Sequence, residues 1–189
     1  MKIEFEGKKY NVVLTGVKTF RGRDGIGLNG TIVIDGEKVA EVLDSGNGGC
    51  LDIDALAPFG LETDKGKEVF RANRMKIGML EDYVKTLPEK TFPKELGGGK
   101  YKADIDDFVN DLFAEVENAK FFKKMEKDML TKILIGKKSN STSYASCNFK
   151  RPLKDIPQEQ LQKMVDEIKT KHVKAGEEIL NTNLTGIKL

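Results

Sequence analysis

The sequence predicts an α+β fold, with an N-terminal hairpin-rich antiparallel sheet followed by a mainly helical part that contains one late strand. Three observations carry this. Up to about residue 60, β-branched and aromatic stretches alternate with Gly- and Asp-rich turn signals. From Thr63 the apolar period changes from 2 to 3.6, and a short alternating stretch returns at 142–149. Strands come first and helices later, so the order does not suit repeated βαβ units.

The first residues, "MKIEFEGKKY", alternate apolar and charged side chains and read as a strand, not as a signal peptide. "YNVVLTGVKTF" continues in β, and "RGRDG" turns the chain with Asp24-Gly25 at its tip. Next come two strands about Asp35-Gly36, a strong hairpin signal. A two-residue loop there pairs Ile34 with Glu37, Ile32 with Val39, Gly30 with Glu41 and Leu28 with Leu43. Leu28, Ile32, Ile34, Val39 and Leu43 then share the buried face. "DSGNGG" is a further turn, "CLDIDALA" a further short strand, and Pro58 closes the β region.

Ile77, Leu80, Val84 and Leu87, with Val69 and Phe70, form a helical stripe that Pro88 stops. Residues 88–100, with two prolines and a glycine triplet, read as a linker or long loop. A long helical stretch begins at Asp104, Asp106 and Asp107, where acidic groups suit the helix dipole. Its apolar face runs from Ile105 and Phe108 to Ile133 and Leu134, with Lys137 and Lys138 just past its end; a bend near Asn118 would divide it. In the late strand, Ala145, Cys147 and Phe149 take one side, and Thr142, Tyr144, Ser146 and Asn148 the other. Asp155 and Gln158 resemble a capping box ahead of a last helix whose stripe is Leu161, Met164, Val165 and Ile168. Gly176 and the polar "NTNLTG" weaken its end. The organisation is a β-rich module 1–60, a helix with a Pro/Gly-rich connection 61–100, and a helical part 101–189, unless all three share one compact domain.

The 189 residues are 39% hydrophobic and 33% charged, which suits a soluble globular protein. No stretch approaches the roughly 18 consecutive apolar residues of a membrane span. With no secretory signal, Cys50 and Cys147 are read as free thiols in a reducing cytoplasm. A single His excludes a two-His zinc motif built within this chain.

Four features invite a chemical reading. "GIGLNG", residues 25–30, spells G-x-G-x-x-G, yet a pyrophosphate loop needs a helix opening after the last glycine. Gly30 is followed by "TIVIDGEKV", which is strand, so the glycines are read as turn and strand punctuation and no cofactor is expected. In "DSGNGGCLDID", Asp44, Asn47, Asp52 and Asp54 offer oxygen ligands, but glycines take the alternate positions that an EF-hand fills. The stretch is read as a glycine turn followed by a strand whose aspartates face water, so no metal is expected; the alternative is a looser metal site, or a two-metal cluster using Asp52 and Asp54. His172, alone on the last helix, is read as a partly buried helix residue, and Cys147 as a packed thiol near Lys150 and Arg151. No catalytic residue is assigned.

The fourth feature is charge. Net charge is +2, but residues 136–154 hold Lys137, Lys138, Lys150, Arg151 and Lys154 with no acidic residue. Cations beside hydroxyl and amide donors suit phosphates, and an outward Tyr144 would stack on a base. A loop of solvated charges closing a helix C-terminus explains the same residues.

The block "TGVKTFRGRDGIGLNGTIVIDGEKVAEVLDSGNGG", residues 15–49, resembles the N-terminal region of small bacteriophage and mobile-element proteins. The resemblance rests on a G-x-G-[FL]-N turn, a strand, D-G-[EK]-K-V-A, a strand, and a G-x-G-G turn. It implies a compact β module and a phage or prophage origin, and it transfers no catalytic residue. The expected function is therefore a non-catalytic accessory protein in the bacterial cytoplasm that binds a host protein, such as a defence or regulatory component. The alternative is a nucleic-acid-binding protein that uses residues 136–154.

Overall fold

Asp35 and Gly36 take positive φ values of 51° and 87°, and together they turn strand β3 (Ile26–Ile34) back onto β4 (Glu37–Asp44). Two consecutive left-handed residues match the twist of a hairpin, which is why Asp-Gly marks such turns. The computed structural model describes residues 1–137 and 143–189, and the chain divides into two compact units, Met1–Val116 and Glu117–Leu189. Each is taken in turn.

The first unit is built on a five-stranded antiparallel meander in the order β1-β2-β3-β4-β5, where β1 is Lys2–Phe5, β2 is Lys8–Arg21 and β5 is Asp52–Ala55. The opening "MKIEFEGKKY" thus holds a hairpin, turned at Glu6-Gly7, and not a single strand. The register between β3 and β4 corrects the expected pairing. Ile34 does meet Glu37, but a bulge follows, with Val33 opposite Lys38 and Ile32 opposite Ala40. The extra residue on β4 buries Val39 and Ala40 together and reverses the alternation beyond them. Gly30 therefore faces Val42 and Asn29 faces Leu43, so Val42 is buried and Leu43 stays 42% exposed.

Helix α1 (Asp64–Thr86) covers the inner face of this sheet through Ile77, Leu80 and Val84. Thr63 caps it by accepting the Gly66 N–H at 2.9 Å, and Leu87 ends it ahead of Pro88. Phe108, Val109 and Leu112, from the start of helix α2 (Ile105–Met129), complete the same core. The Phe108 ring meets Tyr83 edge-on at 6.0 Å, and Tyr83 meets Phe5 in the same way at 6.3 Å. The connection at 88–100 is more ordered than a linker. It contains a small hairpin of β6 (Lys90–Thr91) and β7 (Lys100–Tyr101), with Phe92 stacked on Tyr101 at 4.3 Å. Lys90 Nζ reaches Asp111 at 2.9 Å and the Tyr101 hydroxyl reaches Asp107 at 3.0 Å, which ties this hairpin to the first turns of α2.

α2 runs without a break at Asn118 and stops at Met129, earlier than the apolar pattern suggests. Ile133 and Leu134 lie instead in strand β8 (Lys132–Gly136). The run "KILIG" is short, apolar and partly β-branched, a composition whose periodicity does not separate strand from helix. In the second unit β8 is the middle of a three-stranded antiparallel sheet, between β9 (Ala145–Asn148) and β10 (Glu178–Ile179). Helix α3 (Gln158–His172) packs on it through Leu161, Val165 and Ile168. The expected capping box is absent. Asp155 lies within a 3-10 turn, Leu153–Asp155, Pro157 precedes the helix, and Gln158 donates its side-chain amide to the Gly186 carbonyl.

Among the described residues no helix is long and apolar enough to cross a membrane.

Candidate interaction surface

The basic segment is carried by the β8–β9 hairpin. β8 forms because Ile133, Leu134 and Ile135 are all buried, so a fully covered central strand satisfies both of its faces. β9 pairs with it from Lys132–Asn148 to Ile135–Ala145 without a register shift. Cys147 and Phe149 turn toward the α3 core and are half-buried, and Ser146 and Asn148 are exposed, as the alternation predicts; Ala145, expected on the inner side, is exposed at the start of the strand.

The backbone of β9 has a definite inside and outside. Leu134 gives its N–H to the Asn181 side chain at 2.7 Å and accepts the Leu180 N–H at 2.9 Å, so its polar groups face β10. Its neighbours along β8, by alternation, turn toward β9, and Phe149 N–H accordingly reaches the Thr131 carbonyl at 3.1 Å. Ser146, opposite Leu134, and Asn148 therefore point their backbone N–H and C=O groups away from β8.

The hairpin does not gather the predicted cations into one patch. Lys137 is exposed and lies beyond the Ile135–Ala145 pair, whereas Lys150 and Arg151 lie beyond Lys132–Asn148 at the other end. At least the ladder's length, about 10 Å at 3.3 Å per residue, separates the two groups. Lys138 lies outside the described residues. Lys150 takes φ 55°, and its N–H is held by Asn148 Oδ1 at 2.9 Å, so the chain turns sharply and leaves Lys150 and Arg151 exposed. Arg151 reaches Gln160 at 3.5 Å. Lys154 stands at the rim of a groove of ≈ 620 Å³ floored by Leu153, Ile156, Leu161 and Leu184.

Tyr144 differs from the expected outward stacking residue. It is half-buried, its ring lies 5.4 Å from that of Phe121, and its hydroxyl donates to Asp128 Oδ2 at 2.8 Å. Desolvation, reinforced by the Asp128 carboxylate, pushes its pKa up to about 12. Asp128 is shifted down, chiefly by its hydrogen bond from Lys132 and then by that from Tyr144. The ring already packs against Phe121 at an interplanar angle of 54°, and its hydroxyl is committed to Asp128, which leaves it a poor platform for a base.

Asp44 Oδ1 accepts the Gly46 N–H at 2.7 Å and Asn47 Oδ1 accepts the Arg23 N–H at 3.1 Å, so both oxygens serve turns. Asp52 and Asp54 are exposed on β5 and line a shallow polar groove of ≈ 440 Å³ with Lys18, Asn29 and Glu41. Among the described residues no three His, Cys, Asp or Glu side chains are grouped to hold a metal ion. His172 is exposed at the last turn of α3, not partly buried, because the stripe that faces the core ends at Ile168.

Gly27 of "GIGLNG" has a packing role. A Cβ at Gly27 would lie 2.5 Å from the Asp44 carbonyl and from the Phe20 ring, and one at Gly46 would lie 2.7 Å from the Gly27 nitrogen. Gly22 meets the Gly46 backbone as closely. The 44–49 turn thus lies directly on the β2–β3 turn, where only glycine fits.

No family model, curated protein or solved structure matches this chain.

Two features of the second unit escaped the sequence pattern. β10 is only two residues long, and the polar "NTNLTG" is structural where it holds Asn181, whose amide also donates to the Lys132 carbonyl at 2.9 Å. The single legible hint was an amide-rich stretch following an apolar pair, Ile179-Leu180. Chemically, β9 turns backbone hydrogen-bonding groups of the exposed Ser146 and Asn148 away from β8, between exposed positive charges at its two ends, an arrangement suited to docking.

Proposed function

We propose that this chain is a non-catalytic accessory protein of a phage or mobile element that binds a host factor, a defence or regulatory component, through its basic β8–β9 hairpin. One observation carries the reading: exposed cations flank both ends of an exposed strand, in a segment that contains no acidic residue. Within the second unit Cys147 is half-buried on β9 and His172 is exposed at the end of α3, on separate elements, which supports binding over catalysis there. The resemblance of residues 15–49 to phage and mobile-element proteins supports the origin and the cytoplasmic setting.

Tagged protein recovered from host cells tests this. A partner retained by the wild type, and lost when Lys150 and Arg151 are both replaced by Glu, is the expected result. Recovery of the same partner by the charge-reversed protein contradicts it. Nucleic acid is the second reading, because Lys150, Arg151 and Lys154 stay within one short stretch of chain. It predicts a gel shift at low salt that disappears steeply as salt rises.

A further inference from the structure

Among the described residues, β9 is the one sheet-edge strand that carries no charged side chain. β1, β5, β6, β7 and β10 carry Lys2, Asp52, Lys90, Lys100 and Glu178 respectively. β2, where it runs on past β1, carries Lys18 and Arg21 and a register shift between Thr15 and Lys18, with Gly16 at φ 63°. Charges and bulges of this kind keep foreign strands from pairing with an edge. β9 reads Ala-Ser-Cys-Asn, its ladder is unbroken, and no proline lies within it.

We propose that β9 accepts an extended acidic segment of a protein partner, which adds a fourth strand to the β10-β8-β9 sheet. This rests on the reading of the basic hairpin as the partner-binding surface and names the chemistry of that partner. The outward N–H and C=O groups of Ser146 and Asn148 supply the main-chain ladder, the source of affinity in strand addition. The exposed side chains of Ala145 and Ser146 are small, so a neighbouring strand can approach closely. Lys137 at one end and Lys150 with Arg151 at the other meet carboxylates placed toward the two ends of an extended segment of about six residues.

The same placement of charge argues against two other occupants. An antiparallel second copy on β9 would bring Lys137 of one chain toward Lys150 and Arg151 of the other, and like charges would oppose the pairing. A nucleic acid presents a phosphate at every nucleotide, whereas the middle of β9 is uncharged and Tyr144 is committed to Phe121 and Asp128.

Ser146→Pro provides the test. The Ser146 N–H faces away from β8, so proline there removes an edge donor and leaves the β8–β9 bonds in place. The probes are a capped peptide of alternating Glu and Val, its Lys-for-Glu counterpart, and a single-stranded oligonucleotide of the same charge as the acidic peptide. Binding is read from amide shifts of the full chain, and Ser146→Ala serves as the folded control. The expected result is that the acidic peptide alone binds, that Ser146→Ala leaves affinity unchanged, and that Ser146→Pro weakens it at least about tenfold while retaining the wild-type spectrum elsewhere. Should Ser146→Pro lose its fold, protection of the Ser146 and Asn148 amides by the peptide in the wild type decides in its place. The proposal is overturned if the oligonucleotide binds in preference, if Ser146→Pro binds the peptide as well as wild type does, or if no peptide binds. A host partner still recovered with Ser146→Pro but lost with Lys150→Glu/Arg151→Glu would retain the function proposed above and remove strand addition alone.

Discussion

The hydroxyl of Tyr144 donates to Asp128 Oδ2 at 2.8 Å while Lys132 Nζ holds the other carboxylate oxygen at 2.9 Å. This three-residue link joins the last turn of α2 to β8 and to the residue just before β9, and it sets how the hairpin responds to pH. The Tyr144 pKa is raised in the folded chain to about 12 from an ordinary 10. Its contribution to stability is therefore complete below pH 10 and is lost as pH rises toward 12. For Asp128 the folded pKa is depressed below 3.8, so its contribution is present above that value and is lost as pH falls through the lowered one. Stability should then be flat through neutral pH as far as this link decides it. A Tyr144→Phe variant should lose about 1–2 kcal/mol at pH 7 by urea denaturation, and the difference from wild type should shrink above pH 10. An undiminished gap at pH 12 contradicts the assignment.

Asn181 is 2% exposed and serves three backbone groups at once: it accepts the Leu134 N–H and donates to the carbonyls of Lys132 and Met129. Asn181→Ala leaves buried polar groups without partners, at about 1–3 kcal/mol. Asn181→Asp should cost more, because both donor contacts are replaced by repulsion between oxygens. Denaturant midpoints of the two variants, with Asn183→Ala as a milder comparison, check the ranking.

The glycine crossing predicts a contrast within a single motif. Gly27→Ala places a methyl against the Asp44 carbonyl and the Phe20 ring and should destabilise by about 1–3 kcal/mol. Gly25, in the same "GIGLNG", has nothing within 4 Å, and its alanine variant should change stability by no more than about 0.5 kcal/mol. Thermal melts of both variants separate a packing role from a ligand-cradling one, for which Gly25 would matter as much as Gly27.

Phe108 is 2% exposed and meets Tyr83 within the core of the first unit. Phe108→Ala should cost about 3–5 kcal/mol, measured by chemical denaturation. Phe122, 49% exposed on the same helix, should cost far less.

Much of the fold was legible because local chemistry and tertiary structure agree. Asp35-Gly36 turns where it should, Thr63 caps α1, and the Ile77–Leu80–Val84 stripe is buried. The departures have physical causes. The bulge at Val39 is a one-residue insertion that alternation alone does not reveal, and it exchanges Val42 for Leu43 in the core. Ile133–Ile135 carries no helical or strand period, being too short and too uniformly apolar. β10 has two residues and no pattern at all, and exists because β8 has a second side to satisfy. For the candidate surface, the sequence revealed the acid-free run of cations. It also placed a strand between them, but did not show that Tyr144 would be held by an aspartate on another element.

The most direct measurement is amide hydrogen exchange at β9, residue by residue, in the free chain and with its partner bound. In the free chain Cys147 and Phe149 should be protected by β8, while Ser146 and Asn148 exchange rapidly. On binding, Ser146 and Asn148 should become protected and the alternation should vanish. If both amides continue to exchange rapidly in the complex, the edge of β9 is not where the partner sits.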